Sequence, residues 1–234
     1  MSDAADVRFV YIVSSPHGGS TLVSHVLGKH GDSVNLGEVS FLPKLLALDE
    51  SCSCGSDMSA CDFWNTLLAE HAQKTGIDMR RDPYAFPLGD APKDKHGSGK
   101  IDTQYQSRLR FYGMKVKGAI DSLSVLYGPT VLPLKGVSLL SITRSARNTI
   151  ALYETAAGVA DKRIVIDASK MPRKAAHLYR ASPDRVRVLH LTRDGRGVVS
   201  SRKSYMPVEM AARRWSHYHW VAEKTLERWV PEAH

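Results

Sequence analysis

Apolar and polar positions alternate along the chain in blocks, and these blocks predict short buried strands that are each followed by a helix. Strands are predicted over the aliphatic and β-branched runs at residues 8–13, 34–36, 137–142, 163–166 and 186–191. Helices are predicted over residues 20–29, 61–75, 106–127, 144–158, 172–180, 195–201 and 207–229. This alternation predicts an α/β fold with a parallel β-sheet flanked by helices.

The first predicted strand runs into a turn of small and polar residues. The turn comprises Pro16, His17, Gly18, Gly19, Ser20 and Thr21, and a predicted helix follows at once. In this geometry the backbone N–H groups at the helix N-terminus bind an anion, and the two glycines let the backbone close around a phosphate. Gly19 stands where a complete P-loop requires a Lys. This segment alone is therefore compatible with an anion site and with an ordinary tight turn.

Near the end of the chain, another predicted strand is followed by polar residues at the start of a helix. Arg193 follows the run at 186–192, and Ser201 lies about two helical turns further on. An Arg in this position can donate a forked pair of hydrogen bonds to a phosphate, which a Lys cannot match. The order and spacing of the two segments predict two phosphate contacts at the carboxyl edge of one sheet.

Together these segments resemble the sulfotransferases that use 3′-phosphoadenosine-5′-phosphosulfate (PAPS). Their 5′-phosphosulfate loop usually reads Pro-Arg/Lys-Ser-Gly-Ser/Thr-Thr, which aligns with Pro16 to Thr21 and leaves His17 in the place of the cation. Their 3′-phosphate motif is an Arg with a Ser eight residues on, as in Arg193 and Ser201. The segment Asn35 to Glu38 and the stretch at 52–64 fit the bacterial-type branch. The resemblance spans roughly residues 7–229 and implies one domain, 1–234, of P-loop-like sulfotransferase/nucleotide kinase architecture.

The resemblance also implies a reaction. The sulfuryl group of PAPS would pass by in-line displacement to a hydroxyl, or an amine, of a small molecule, lipid or glycan, with adenosine 3′,5′-bisphosphate as the product. The loop residues Pro16, His17, Gly18, Gly19, Ser20 and Thr21 would bind the 5′-phosphosulfate, and Arg193, Ser201 and Arg202 the 3′-phosphate. The donor carries a good leaving group, so no metal is expected.

Three residues are candidates for catalysis. Glu38 matches the Glu of the Asn-Leu-Gly-Glu motif, which makes it the candidate base; its alternative is a carboxylate that stabilises the following helix. His17 is a candidate for the family's loop cation or for the base itself, against a residue that only fills the loop. Lys170 is a candidate cation, against an exposed lysine before the helix at 172. For Arg202, the alternative to a 3′-phosphate contact is a side chain that is only solvated.

Two rival functions use the same strand, turn and helix. A small-molecule kinase would bind Mg-ATP, but Gly19 in the Lys position and the lack of a clear Mg-holding Asp disfavour it. A catalytically impaired nucleotide-binding relative is the second rival, because His17 replaces the usual cation. The chain ends at His234, where the family continues, so we expect either a compact version or a missing C-terminal segment.

Charge and composition narrow the class of partner. The 234 residues carry a formal net charge of +8. Residues 170–214 hold 12 of the 32 Lys and Arg residues but only 3 of the 24 Asp and Glu residues. An anionic nucleotide or acceptor explains this excess, as does a solvated basic face. Basic and aromatic residues do not interleave, so no nucleic acid is expected. The absence of an 18-residue apolar run and the short acidic start predict a cytoplasmic protein without a membrane span.

The middle of the chain carries fewer motifs. Residues 80–104 lack an apolar period, which predicts a mobile loop, and the acceptor region is expected within residues 41–127. Cys52, Cys54 and Cys61 have Cys-x-Cys-x₆-Cys spacing. This spacing is compatible with a zinc site that takes His71 as its fourth ligand, with a loop held by packing, or with a redox-sensitive pair.

Overall fold

The computed structural model describes residues 6–85 and 139–231, with side chains from residue 144 onward in the second range. Its strands are β1 (Arg8–Ser14), β2 (Ser33–Asn35), β3 (Ile164–Lys170) and β4 (Val186–Leu191). In the described ranges they form a 4-stranded sheet of order β2-β3-β1-β4, in which every neighbouring pair is parallel. The fold is therefore α/β, as the alternation of apolar runs predicts.

The helices lie on both faces of this sheet. They are α1 (Ser20–Leu27), α2 (Leu42–Leu48), α3 (Asp62–Thr75), α4 (Leu139–Ala160), α5 (Pro172–Ala181), α6 (Gly195–Arg202) and α7 (Val208–Trp229), and a single 3₁₀ turn, Val39–Phe41, precedes α2. Within residues 6–85 and 139–231, no helix combines the length and the apolar character needed to cross a membrane.

The strand β1 shows why the sheet is buried on both faces. Phe9, Tyr11 and Val13 point to one face and belong to the larger core, together with residues of α3, α4, α5 and α7. Ile12 lies on the opposite face in a smaller cluster, against which Val23 of α1 packs. A strand whose successive side chains enter two cores must be apolar along its length, and this is the pattern of the sequence.

Within the described residues, every predicted strand and helix has a counterpart of the same type except at one place. β3 continues to Lys170, four residues beyond its predicted end, and α2 was not among the predicted helices. The strand predicted over 137–142 is wrong for residues 139–142, because these residues begin α4. The apolar residues there continue into Ala146, Ile150, Tyr153 and Ala157, which are buried at helical spacing. Residues 139–142 are therefore the first turn of a long amphipathic helix rather than a strand. The helix predicted over 106–127 and the part of the predicted loop at 86–104 lie outside the described residues.

Candidate functional site

The carboxyl ends of all four strands meet at one edge of the sheet, and the predicted site residues lie there. Ser14 at the end of β1 pairs with Leu191 at the end of β4, so the loop after β1 and Arg193 are neighbours. On the other side of β1, Val13 pairs with Lys170 at the end of β3. Glu38 follows β2, which pairs with β3. The edge thus orders Glu38, Lys170, the β1 loop and Arg193 over about 15 Å, three strand spacings.

The loop after β1 has a backbone that few sequences adopt. His17 and Gly19 both take left-handed conformations, with φ of 67° and 94°. The Gly18 N–H donates to the Ser15 carbonyl at 2.9 Å. A Cβ on Gly18 would overlap the Ser14 hydroxyl and lie 2.8 Å from the Ser15 carbonyl oxygen. Only glycine therefore fits at position 18, and a left-handed histidine next to it stores strain of the kind that clusters at functional sites.

This loop leads directly into the N-terminus of α1. Gly19 caps the helix without a side-chain hydrogen bond, and the first helical bond runs from the Val23 N–H to the Gly19 carbonyl at 3.1 Å. The N–H groups of Ser20, Thr21 and Leu22 precede that bond and have no partner within the helix. Three such N–H groups at the positive end of the helix dipole form a site that favours an anion.

Two arginines from the second motif hold the backbone of the loop. Arg193 donates from Nη1 to the His17 carbonyl at 3.0 Å, and Arg202 donates from Nη2 to the Pro16 carbonyl at 2.7 Å. Arg202 is only 5% exposed, and burial lowers its pKa below the ordinary value. It is therefore not a solvated side chain. The two sequence motifs form one unit, although 176 positions separate His17 from Arg193.

The start of α6 is built around Arg193. The Asp194 carboxylate caps this helix by accepting from the Arg196 N–H at 2.8 Å, and it also pairs with the Arg196 guanidinium at 2.6 Å. These hydrogen bonds lower the pKa of Asp194 to about 2. The Trp215 indole N–H donates to the Arg193 carbonyl at 3.2 Å. Ser201 lies exposed on the same helix and donates to the Gly197 carbonyl at 2.9 Å.

The predicted base and the predicted cation are in direct contact. The Lys170 ammonium donates to the Glu38 carboxylate, and the two side chains are 17% and 35% exposed. Glu38 is the N-cap residue of the 3₁₀ turn and makes no capping bond with its side chain. The alternative for Lys170 was an exposed lysine before the next helix, and the structure does not have it exposed. Sequence reasoning singled out both residues but did not anticipate the pair.

A buried polar network lies behind this pair. Asp167, fully buried in β3, accepts from the Tyr153 hydroxyl at 2.5 Å, from the Ser169 N–H at 2.7 Å and from the Ser169 hydroxyl. The Ser169 hydroxyl oxygen in turn accepts from the Ser40 N–H at 3.0 Å. Burial first, and the Asp167 charge second, raise the pKa of Tyr153 well above its ordinary value. The network ties β3 to the segment that follows Glu38.

Two further tyrosines hold the chain around Lys170. The Tyr218 hydroxyl donates to the Lys170 carbonyl, and the Tyr11 hydroxyl accepts from the Met171 N–H at 3.2 Å. Lys170 has a φ of 72°, so these contacts fix a backbone conformation that lysine rarely takes. Sequence reasoning missed these tyrosines. The available signal was the Tyr in the otherwise apolar β1 and the Asp and Ser in the otherwise apolar β3. Polar groups within a buried strand must find hydrogen-bond partners.

His17 has its own partner. Its Nε2 lies 2.7 Å from the hydroxyl of Tyr205, in the segment between α6 and α7. Both rings are exposed, with Tyr205 at 60%. The hydrogen bond orients the imidazole beside the loop.

A cavity of about 660 Å³ opens beside Glu38. It is lined by Thr21 from the first turn of α1, by Glu38, and by Phe41 and Trp64 from the region where the acceptor is expected. The same cavity therefore touches the first turn of α1 and the candidate base. Part of its further lining comes from the loop that holds the cysteines.

The three cysteines are close together, but His71 is not with them. All three Sγ atoms lie within 4.8 Å of one another, and none is in a disulfide. Hydrogen bonds from Ser56 first, and from Cys52 and Cys61 second, lower the pKa of Cys54 to about 7. His71 lies ten residues beyond Cys61, about 15 Å along α3, and faces Thr155 of α4. The expectation that His71 could complete a zinc site is wrong.

Comparisons of this chain with protein-family models, with curated proteins and with solved structures gave no match. Its function must be argued from its own residues and their geometry.

Proposed function

We propose that this chain is a PAPS-dependent sulfotransferase with the P-loop-like architecture of that family. It transfers the sulfuryl group to a hydroxyl or amine of a small molecule, lipid or glycan and releases adenosine 3′,5′-bisphosphate. The order of groups along the carboxyl edge carries this proposal. A forked cation, an anion-binding loop, a lysine and a carboxylate follow one another on neighbouring strands. This is the order in which a 3′-phosphate, a 5′-phosphosulfate and an acceptor would lie.

The donor would lie along β1 and β4. The N–H groups of Ser20 and Thr21 bind the 5′-phosphosulfate oxygens, aided by the two side-chain hydroxyls. Arg193 uses one N–H on the His17 carbonyl, and its guanidinium carries five such donors, so it can also bind the 3′-phosphate together with Ser201. The buried hydroxyl of Ser15, which has no hydrogen-bond partner in the described part of the chain, offers the loop one more polar contact. Arg202 keeps the loop in shape through the Pro16 carbonyl.

The transfer step needs a base and a cation at the other end of the edge. The acceptor oxygen attacks sulfur, the bond from sulfur to the phosphate oxygen breaks, and the proton of the acceptor hydroxyl passes to Glu38. Lys170 lies between Glu38 and the donor loop in the strand order, and its ammonium stabilises the negative charge that develops on the leaving phosphate. His17, oriented by Tyr205, supplies a second hydrogen bond to that phosphate.

The same residues disfavour a kinase. Phosphoryl transfer in a P-loop kinase needs the loop Lys and an Asp that holds Mg²⁺. Gly19 occupies the Lys position. Asp167, in the middle of β3, is fully buried and already accepts from Tyr153 and Ser169. Asp194 is engaged by Arg196. Neither carboxylate is placed to bind Mg-ATP without a rearrangement.

A thermal-shift titration tests the binding half of the proposal. Adenosine 3′,5′-bisphosphate is compared with adenosine 5′-monophosphate and with Mg-ATP, because a ligand that binds only the folded state raises the melting temperature with its occupancy. We expect the bisphosphate to give the largest shift. A larger shift with Mg-ATP would favour the kinase, and no shift with any nucleotide would refute the proposal.

Release of the bisphosphate from PAPS tests the chemical half. A panel of phenols, sugars, alcohols and amines is offered with PAPS, and the nucleotide product is measured. We expect turnover with at least one acceptor class. Specific binding of the bisphosphate without turnover of PAPS across the panel would instead support the catalytically impaired relative.

A further inference from the structure

Three thiols meet in the loop between α2 and α3, and sulfuryl transfer makes no use of them. The Cys61 Sγ lies 3.6 Å from the Sγ of Cys52 and 3.6 Å from that of Cys54. A disulfide joins two sulfur atoms at about 2.05 Å and would leave the third thiol over. A disulfide between two of these cysteines therefore does not explain why all three thiols lie together.

The spacing fits a bound metal ion. Zinc–sulfur bonds of about 2.3 Å in a tetrahedron separate neighbouring sulfur atoms by about 3.8 Å. The two separations of 3.6 Å are close to that edge length. Thiolates are the ligands that thiophilic ions such as Zn²⁺ and Cu(I) prefer over carboxylates. An ion at the centre of the three Sγ atoms would be reached with little movement of the chain.

The loop is built so that the thiols converge. A bridge between Ser51 and Asp57 closes a short hairpin, in which the Cys52 N–H donates to the Ser56 carbonyl at 2.7 Å. Gly55 turns the hairpin with a φ of 94°. This tight turn brings Cys52 and Cys54 to one side, next to Cys61.

Cys61 comes from a different part of the local structure. It directly precedes α3 as its N-cap, and its side chain is buried there. The segment between the hairpin and Cys61 is held by Asp49, which accepts from the Ser59 N–H at 2.7 Å and from its hydroxyl at 2.8 Å. The hairpin and the helix start are therefore fixed relative to each other before any ligand binds.

We propose that Cys52, Cys54 and Cys61 form a three-thiolate site that binds Zn²⁺ and keeps its fourth position open. No fourth His, Cys, Asp or Glu joins the group among residues 6–85 and 139–231. All three cysteines line the cavity that Glu38 also lines, so the fourth ligand is a water molecule or a group of whatever occupies that cavity. Three protein ligands with an exchangeable fourth are typical of functional rather than structural zinc sites.

Binding would have two consequences. The thiols lose their protons on binding, so affinity rises with pH. The ion would also make the loop a rigid wall of the cavity. The site does not depend on the proposed sulfotransferase activity, and its test uses no turnover.

The test is a metal titration of the full chain. The protein is stripped with a chelator under a reductant and titrated with Zn²⁺ against a chromophoric competitor, and Co²⁺ serves as a spectroscopic probe of thiolate ligation. We expect one Zn²⁺ per chain and a thiolate-to-cobalt charge-transfer band. Cys54→Ser should weaken Zn²⁺ binding by at least about tenfold. Cys54 is exposed, so this variant keeps the fold even if Cys61→Ser does not.

The matched control is Ser53→Ala, an exposed residue between two of the proposed ligands. It should bind Zn²⁺ as the unaltered chain does. Two results would overturn the proposal. One is reduced protein that binds Zn²⁺ no more tightly than a variant with all three cysteines replaced by Ser. The other is protein that binds no metal but loses two thiols to a disulfide under mild oxidation, which would identify a redox pair.

Discussion

The two halves of the carboxyl edge are built from different materials. On the β1–β4 side, the loop from Pro16 to Thr21 presents main-chain N–H groups, and Arg193 and Arg202 hold its carbonyl groups from outside. On the β2–β3 side, a pair of side chains, Glu38 and Lys170, lies over buried hydrogen bonds. The first half therefore consists of main-chain N–H groups held in a fixed conformation. The second half consists of an ion pair supported by buried hydrogen bonds.

This difference shows how the element proposed to bind the donor and the element proposed to react are stabilised. A backbone cradle depends on conformations that a few residues impose locally, above all Gly18 and Gly19. A charged pair must be oriented by groups from several strands and helices, and each buried polar group among them needs a partner. We therefore expect changes on the two sides to affect different quantities.

The largest effect is expected from Glu38→Gln. Loss of the base should lower turnover of PAPS by about 10²–10⁴-fold, while binding of adenosine 3′,5′-bisphosphate stays the same. Steady-state kinetics and the thermal shift measure the two quantities. Glu70→Gln, the same change on the exposed face of α3, should leave both unaltered. Unchanged turnover in Glu38→Gln would move the base elsewhere, with His17 as the first candidate.

The Asp167→Ala variant tests the buried hydrogen bonds that support the Glu38–Lys170 pair. The change leaves the Tyr153 hydroxyl and the Ser169 N–H and hydroxyl without their acceptor in a buried place. We expect the free energy of unfolding to fall by about 3–5 kcal/mol. Urea denaturation measures it, and the exposed Asp184→Ala serves as the control. A variant as stable as the unaltered chain would show that the network does not support the fold.

The first half is tested by Arg193→Ala. Loss of a charge-assisted pair should weaken binding of adenosine 3′,5′-bisphosphate by about 1.5–3 kcal/mol. Calorimetric titration measures this change. Arg8→Ala removes the same charge at the opposite end of β1 and should leave the affinity as it is. Equal losses in both variants would mean that net charge, rather than the position of Arg193, governs binding.

The smallest effect concerns pH. The pKa of Asp194 is about 2 in the folded chain, below its ordinary value of 3.8. Its contribution to stability is therefore present above about pH 4 and is lost as the pH falls through 2. Asp194→Asn should flatten the dependence of unfolding free energy on pH within this window. The pair is exposed to solvent, so the difference should be small and should shrink with added salt. An unchanged pH profile would show that the cap has no part in acid stability.

The halves also differ in how far they could be predicted. The strand, turn and helix around Gly18 and Gly19 follow from contiguous residues, and the structure has them where the pattern predicts. The contact between Glu38 and Lys170 joins two segments that are 132 positions apart, and neither segment signals the other. The same holds for Tyr153 and Asp167, whose partnership depends on how α4 packs against β3. The run at 137–142 misled because the apolar residues within 139–142 look the same in a strand and in the first turn of a helix.

The sequence by itself determined the alternation of strands and helices, and with it a parallel sheet whose loops collect at one edge. It also determined the backbone of the loop after β1, since glycine at 18 and 19 and the start of a helix act over a few neighbouring residues. Only the tertiary structure decided the strand order β2-β3-β1-β4, and this order makes neighbours of Glu38, Lys170, the loop and Arg193. The physical reason is the separation along the sequence over which each kind of interaction acts. Periodicity and turn chemistry act locally, whereas ion pairs and buried polar networks form between whichever segments the packing of the core brings together.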